Sequence, residues 1–232
     1  SLDRDGFVIL PSLLDDSARS RLSDEVDRLP VDTAGDRDLL KLPCVQVCAD
    51  QLIQHPVASN LFTPSALPIL CTLFQKSEQQ NWLVPIHQDT SVPWPMKISH
   101  PNFSAWSLKG DQWFCQPPTY ILEQLIAIRL HLDDSLADHG PLVVVGGSHR
   151  LGKLTAQEAR SVRDQTGITP CLVHVGDAII LKPLLLHASS KAFDPIVGAS
   201  FTFSSPQGTS SMSPRQADTY FFPTAAVFSA LS

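Results

Sequence analysis

The sequence carries few positive charges and nowhere concentrates them. Its 232 residues hold 17 Lys and Arg against 23 Asp and Glu, a formal net charge of -6. Without a basic cluster there is no electrostatic footprint for nucleic acid, and none is expected as a partner. No apolar run approaches the ~20 residues that a membrane-spanning helix needs, which excludes a membrane partner of that kind. The first residues, Ser-Leu-Asp-Arg-Asp, lack the charged-then-apolar pattern of a secretory leader. The five cysteines (44, 48, 71, 115 and 171) are odd in number and form no regular framework, which argues against a disulfide-stapled secreted scaffold. Cys44-x3-Cys48 has no second pair at zinc-finger spacing. The cysteines therefore read as reduced, mostly core thiols, and the expected location is cytoplasmic.

What remains is ordinary for a chain with a real core: 43% hydrophobic and 17% charged residues. Gly6 to Leu10 reads as a strand stopped by Pro11, and Ser12 to Leu29 as an amphipathic helix with Leu14, Ala18, Leu22 and Val26 near helical spacing. Helical character continues from Asp38 to Phe62. No Gly/Ser linker follows, so residues 12–62 read as a helical buttress within a single domain over 1–191, the remainder being a barrel over 66–191. In that part, Leu67 to Phe74, Leu83 to Asp89, Leu125 to Leu132, Leu142 to Val145, Cys171 to Val175 and Ala178 to Leu181 read as short strands between turn signals. This predicts a mainly β fold with flanking helices, a sandwich or barrel. The Pro- and Trp-rich segment from Val92 to Pro118 is expected to be a long binding loop or lid. In it, Trp94, Trp106, Trp113 and Gln116 are candidates to line a substrate pocket. Thr155-x-x-Glu158 is a capping box that opens a short polar helix.

Chemistry concentrates at Asn81-Trp82-Leu83-Val84-Pro85-Ile86-His87-Gln88-Asp89. Residues i and i+2 of a strand share a face, so His87 and Asp89 can point at one spot. With a third ligand from elsewhere they would form the facial triad that suits non-haem Fe(II) and leaves coordination positions open. His187, at the end of a second apolar run, is the candidate. On spacing alone, a strand-end histidine beside a turn-forming aspartate is the favoured reading. His131-Leu132-Asp133 is a competing pair, with His174 or His187 to complete it. His149, in Gly-Gly-Ser-His, reads as structural. His55, His100, His139 and His174 have no defensible partner.

The run Asn-Trp-Leu-Val-Pro-x-His-Gln-Asp resembles the phytanoyl-CoA dioxygenase family of Fe(II)/2-oxoglutarate oxygenases. So do Asp5-Gly6-Phe7, Gly140-Pro141-Leu142 leading to Gly147-Ser148-His149-Arg150, and Pro183-Leu-Leu-Leu-His187-Ala-Ser-Ser. The resemblance implies a double-stranded β-helix (jelly roll, cupin-like) and hydroxylation of a small-molecule substrate with O2. It implies Fe(II) on His87, Asp89 and His187, and 2-oxoglutarate contacted by Gln88 and Ser189. Family members that halogenate lack the carboxylate, so Asp89 implies hydroxylation.

The resemblance stops after Lys191. The family pattern places an Arg for the 2-oxoglutarate carboxylate ten or eleven residues past the distal His. Here those positions are Val197 and Gly198, and no Lys or Arg lies between Lys191 and Arg215. Lys191 and Arg129 are stand-ins by charge, each read as a surface or pocket-edge residue. The missing Arg leaves open a non-catalytic relative, or a cupin-like module that binds a metal or small ligand. One permitted codon set for Ile196 to Pro206, read after dropping its first two bases, translates as Arg-Arg-Arg-Val-Leu-His-Phe-Gln-Leu-Ala, which resembles the family's last strand. Residues 192–232 are therefore read as an atypical tail in a shifted frame. The chain is expected to lack a native last strand. The sequence does not name the substrate or the oligomeric state.

Overall fold

The computed structural model describes residues 1–28, 39–62, 66–76, 81, 83–192 and 198–206. In chain order the elements are α1 (Leu2–Asp5), β1 (Phe7–Leu10), α2 (Asp16–Val26), α3 (Pro43–Gln54), β2 (Cys71–Lys76), β3 (Val84–His87), β4 (Val92–Trp94), β5 (Ser104–Lys109) and β6 (Gln112–Gln116). They continue with α4 (Thr119–Leu122), β7 (Leu125–His131), β8 (Leu142–Val144), α5 (Ala156–Thr166), β9 (Thr169–Pro170), β10 (Ala178–Leu181), β11 (His187–Ser189) and β12 (Gly198–Pro206). Two sheets with strand orders β1-β10-β7-β12-β2 and β3-β11-β8-β9 make the two walls, and β4-β6-β5 forms a third, smaller sheet. Every pairing is antiparallel. This is the jelly-roll arrangement that the strand pattern and the resemblance predict.

Alternation along β7 explains how the walls pack. Ile126, Ile128 and Leu130 point to one face, where they share a hydrophobic cluster with Leu22, Val45 and Leu52 of the N-terminal helices. In α3 the buried residues Val45, Cys48, Ala49 and Leu52 recur at helical spacing, so one stripe of the helix meets the sheet. On the other face of β7, Ala127 joins Ile179 and Leu181 of β10 and Leu142 and Val144 of β8 in a second cluster, between the two large sheets. All seven β7 residues are consequently buried. The helical buttress thus shares one core with the outer face of the five-stranded sheet.

Several expectations change. Helix α2 starts at Asp16, not Ser12, because the Asp15 side chain caps it by accepting from the Ala18 N–H at 2.7 Å. Ser12 instead sits at φ 50°, its N–H donating to Asp177 Oδ1 at 2.9 Å. The segment from Val92 to Pro118 contains the antiparallel sheet β4-β6-β5 rather than a long loop, its alternation obscured by prolines. Its tryptophans pack on neighbouring rings: Trp94 edge-on to Phe103 at 5.0 Å and Trp106 edge-on to Trp113 at 6.3 Å. Finally, a strand, β12 (Gly198–Pro206), occupies the last-strand position. β12 lies between β7 and β2, with Thr202 opposite Arg129 on one side and Thr72 on the other. Residues 207–232, the rest of the tail, lie outside the described residues, as do Trp82 and the expected end of the first long helix at Leu29 and Pro30. The Cys171 to Val175 strand reduces to the bridge Ser135↔Val173, with β9 just before it. Thr155 caps α5 with the capping box its spacing predicts.

Candidate metal centre

Strands β3 and β11 run antiparallel with His87 directly opposite His187, and the two rings lie 4.2 Å apart centre to centre. Asp89 follows just beyond the end of β3, where its N–H donates to the Pro183 carbonyl at 2.8 Å. Its two carboxylate oxygens stand 3.8 Å from His87 Nε2 and 3.6 Å from His187 Nε2. One ligand atom from each of the three residues lies within 4.8 Å of the others, the single such His/Cys/Asp/Glu cluster among the described residues. Cis ligands of one ion at roughly 2.0–2.2 Å are about 3 Å apart, so three ligand atoms within 4.8 Å of one another need to close by less than about 2 Å.

The imidazoles are held ready to ligate. His87 Nδ1 lies 2.8 Å from the Pro85 carbonyl, and His187 Nδ1 lies 2.8 Å from the Leu185 carbonyl. A carbonyl only accepts, so each Nδ1 carries the hydrogen and each Nε2 presents its lone pair toward Asp89. Burial, reinforced by neighbouring His87, pushes the His187 pKa down to about 4. The neutral ring is the form that binds metal. His187 is 2% exposed while His87 and Asp89 are 31% and 27% exposed, so the site opens on the β3 side. Two neutral nitrogens and one carboxylate fit a divalent ion such as Fe(II), with positions left open.

Polar residues of the motifs hold this site from behind. The Gln88 side-chain amide donates to the Gly152 and Leu184 carbonyls at 2.8 and 2.7 Å and accepts from the Leu154 N–H at 2.8 Å. Both its donor hydrogens are engaged by backbone, so its contacts are those of a staple between two loops rather than of a co-substrate ligand. Ser148 Oγ accepts from the Leu186 N–H at 2.8 Å, next to the distal ligand. Asn81 closes two hydrogen bonds on Ala192, donating to its carbonyl at 2.8 Å and accepting from its N–H at 2.9 Å. Gly140, at φ +64°, leaves no room for a side chain: a Cβ would come 2.5 Å from the Ser190 carbonyl oxygen. Sequence reading missed Asn81 and Ser148. The available signal was a polar residue inside otherwise apolar motifs.

Ser189, 3% exposed, follows two residues after His187 on the same face of β11. His131 joins no metal-binding cluster among the described residues. It is 4% exposed, its Nε2 has no partner, and its pKa is pushed well below the ordinary range, by burial first and by Arg129 second. His174 is an exposed ion-pair partner of Asp134 at 3.4 Å, so the competing pair is not assembled. His149 is structural as expected, its Nε2 lying 3.2 Å from the Asp3 carbonyl. Lys191 is exposed. Arg129 is neither a surface nor an edge charge: it is 4% exposed on β7. None of the five cysteines is in a disulfide, and four are buried. No helix among the described residues is long and apolar enough to cross a membrane.

A jelly roll carrying two histidines and one carboxylate at facing strand ends defines the class of mononuclear non-haem metal oxygenase folds. The chain belongs to the phytanoyl-CoA dioxygenase (PhyH) family, whose sequence profile matches residues 2–192. No curated protein matches it in sequence. Among solved structures, HygX from Streptomyces hygroscopicus with nickel and 2-oxoglutarate bound is similar at TM-score 0.62 and 15% identity, over 89% of this chain and 84% of HygX. EctD from S. alaskensis in its apoform aligns at TM-score 0.64 and 15% identity, over 89% and 74%. The epimerase SnoN, in complex with Fe3+, alpha ketoglutarate and nogalamycin RO, aligns at TM-score 0.62 and 17% identity, over 90% and 81%.

Proposed function

We propose that the protein is an Fe(II)- and 2-oxoglutarate-dependent dioxygenase that hydroxylates a small organic substrate in the cytoplasm. The observation that carries this reading is the convergence of His87, Asp89 and His187, with both Nε2 atoms within 3.8 Å of an Asp89 carboxylate oxygen. His87, Asp89 and His187 would hold the metal, which would supply O2 activation coupled to oxidative decarboxylation of 2-oxoglutarate to succinate and CO2. His87 and His187 give neutral donors, and Asp89 gives the anionic one, in the place that halogenating relatives leave vacant for halide. Ser189 offers a hydroxyl to the 2-oxo acid from the same face as His187. Free, buried thiols agree with a reducing compartment. The test is to titrate 2-oxoglutarate into the anaerobic Fe(II) protein and to assay succinate in air. A charge-transfer absorption band and succinate release are expected. Metal binding without the band would favour the second reading, a non-catalytic relative, which the absence of any Lys or Arg between Lys191 and Arg215 supports.

We also propose a shifted reading frame after about Ala192. The family match ends at residue 192, and the positions where the family's Arg is expected hold Val197 and Gly198. The coding DNA decides: if its codons for Ile196 to Pro206 yield no Arg-rich strand in either other frame, the chain is in its native frame.

A further inference from the structure

Across the five-stranded sheet one row of directly opposed positions runs Ile9, Ile179, Arg129, Thr202, Thr72. Ile179 belongs to the cluster that fills the space between the two large sheets, so Arg129, its cross-strand partner, faces the same space. On the opposite wall, Val144 belongs to that cluster too, and Val144 is directly opposite His187. Arg129 and the triad therefore look at one another across the interior of the jelly roll. Arg129 is 4% exposed, forms no ion pair among the described residues, and its Nε has no hydrogen-bond partner there. Burial pulls its pKa down only to about 10, which leaves it a cation at neutral pH. A buried, unpaired guanidinium is costly unless an anion completes it. Asp89, whose charge Arg129 feels, is turned to the histidines instead.

We propose that Arg129 is the cation that receives the distal carboxylate of a dicarboxylic 2-oxo acid whose other end chelates the triad's metal. This rests on the functional reading above and replaces the strand arginine that positions 197 and 198 do not supply. A planar guanidinium pairs with a carboxylate through two parallel hydrogen bonds, and the unpartnered Nε is one of its donors.

The experiment compares 2-oxoglutarate with 2-oxopentanoate, which keeps the chelating end and lacks the distal carboxylate, by charge-transfer absorbance on the anaerobic Fe(II) protein. The native protein should prefer 2-oxoglutarate by about 100-fold, the scale of a desolvated charge-assisted pair. In Arg129→Gln and Arg129→Met that preference should collapse to a few-fold, with 2-oxopentanoate and Fe(II) binding unchanged. Arg129→Lys should fall between. A structural role would weaken both acids together and would overturn the proposal. So would a native protein with no preference, or variants that keep it. If neither acid gives a band in the native protein, the functional reading fails with it. If only the preference is missing, that reading stands and Arg129 alone is excluded. Should Gln and Met variants not fold, the native preference and Arg129→Lys still decide.

Discussion

Asp89 is one carboxylate shared between two imidazoles, 3.8 Å from His87 and 3.6 Å from His187. Replacing it with Gly removes a ligand and little core volume, since Asp89 is a quarter exposed. Asp89→Gly should therefore abolish hydroxylation and weaken Fe(II) binding, with the melting temperature of the metal-free protein nearly unchanged. Full activity in that variant would remove Asp89 from the ligand set. His131 shows the opposite case, a buried ring whose Nε2 has no hydrogen-bond partner among the described residues. Its folded pKa lies well below 6.5, so the unfolded chain takes up a proton that the folded chain refuses. Stability is then complete above about pH 6.5 and falls as the pH drops, at a limiting slope of roughly 1.4 kcal/mol per unit. His187, shifted down to about 4, adds its own loss between about pH 6.5 and 4 in the metal-free protein. Urea midpoints at pH 7 and pH 5 should diverge in the native protein and less so in His131→Leu. Equal divergence would mean His131 does not contribute.

At the scale of elements, the strand that carries His187 is held by groups from other segments. Ser148 accepts from the Leu186 N–H, and Val145 donates to the Leu186 carbonyl at 2.9 Å. Ser148→Ala would leave the Leu186 N–H buried without a partner, which costs about 1–3 kcal/mol. It should also lower metal affinity by roughly 10-fold, because a supporting contact orients the ligand strand. Calorimetric metal titration alongside denaturant unfolding checks both, and an unchanged metal affinity would confine Ser148 to stability. Gln88 does the same work between the loop at 152–154 and Leu184. It sits between two ligands in sequence, which made it look like a co-substrate contact. Its neighbours in sequence point into the site, and alternation sends its own side chain the other way.

For the whole molecule, one hydrophobic cluster runs from the helices into β2, β7 and β10. Leu52, 3% exposed, lies in it. Leu52→Ala should cost about 2–5 kcal/mol and lower one common transition, followed equally by far-UV and tryptophan signals. Two separated transitions would instead mark the N-terminal helices as an independent unit.

The amino-acid sequence by itself determined the local parts. Short apolar runs between turn signals made β3, β7, β8 and β10 legible, the apolar residues from Asp38 to Phe62 showed helical character there, and Thr155 with Glu158 announced α5. The His87-Gln88-Asp89 spacing and the strand-end His187 marked the triad, because ligand types at strand period carry their own geometry. Boundaries went astray where a remote partner decides: Asp177, 165 residues away, holds the Ser12 N–H, so the helix waits for Asp15. Only the tertiary structure decided which polar residues face the site. Arg129 reads as an edge charge in a line of text. Antiparallel pairing with Ile179, and the stacking of β7 opposite β8, turn it inward toward the cluster of His87, Asp89 and His187. That outcome depends on register between segments some fifty residues apart, a long-range property that local periodicity does not encode.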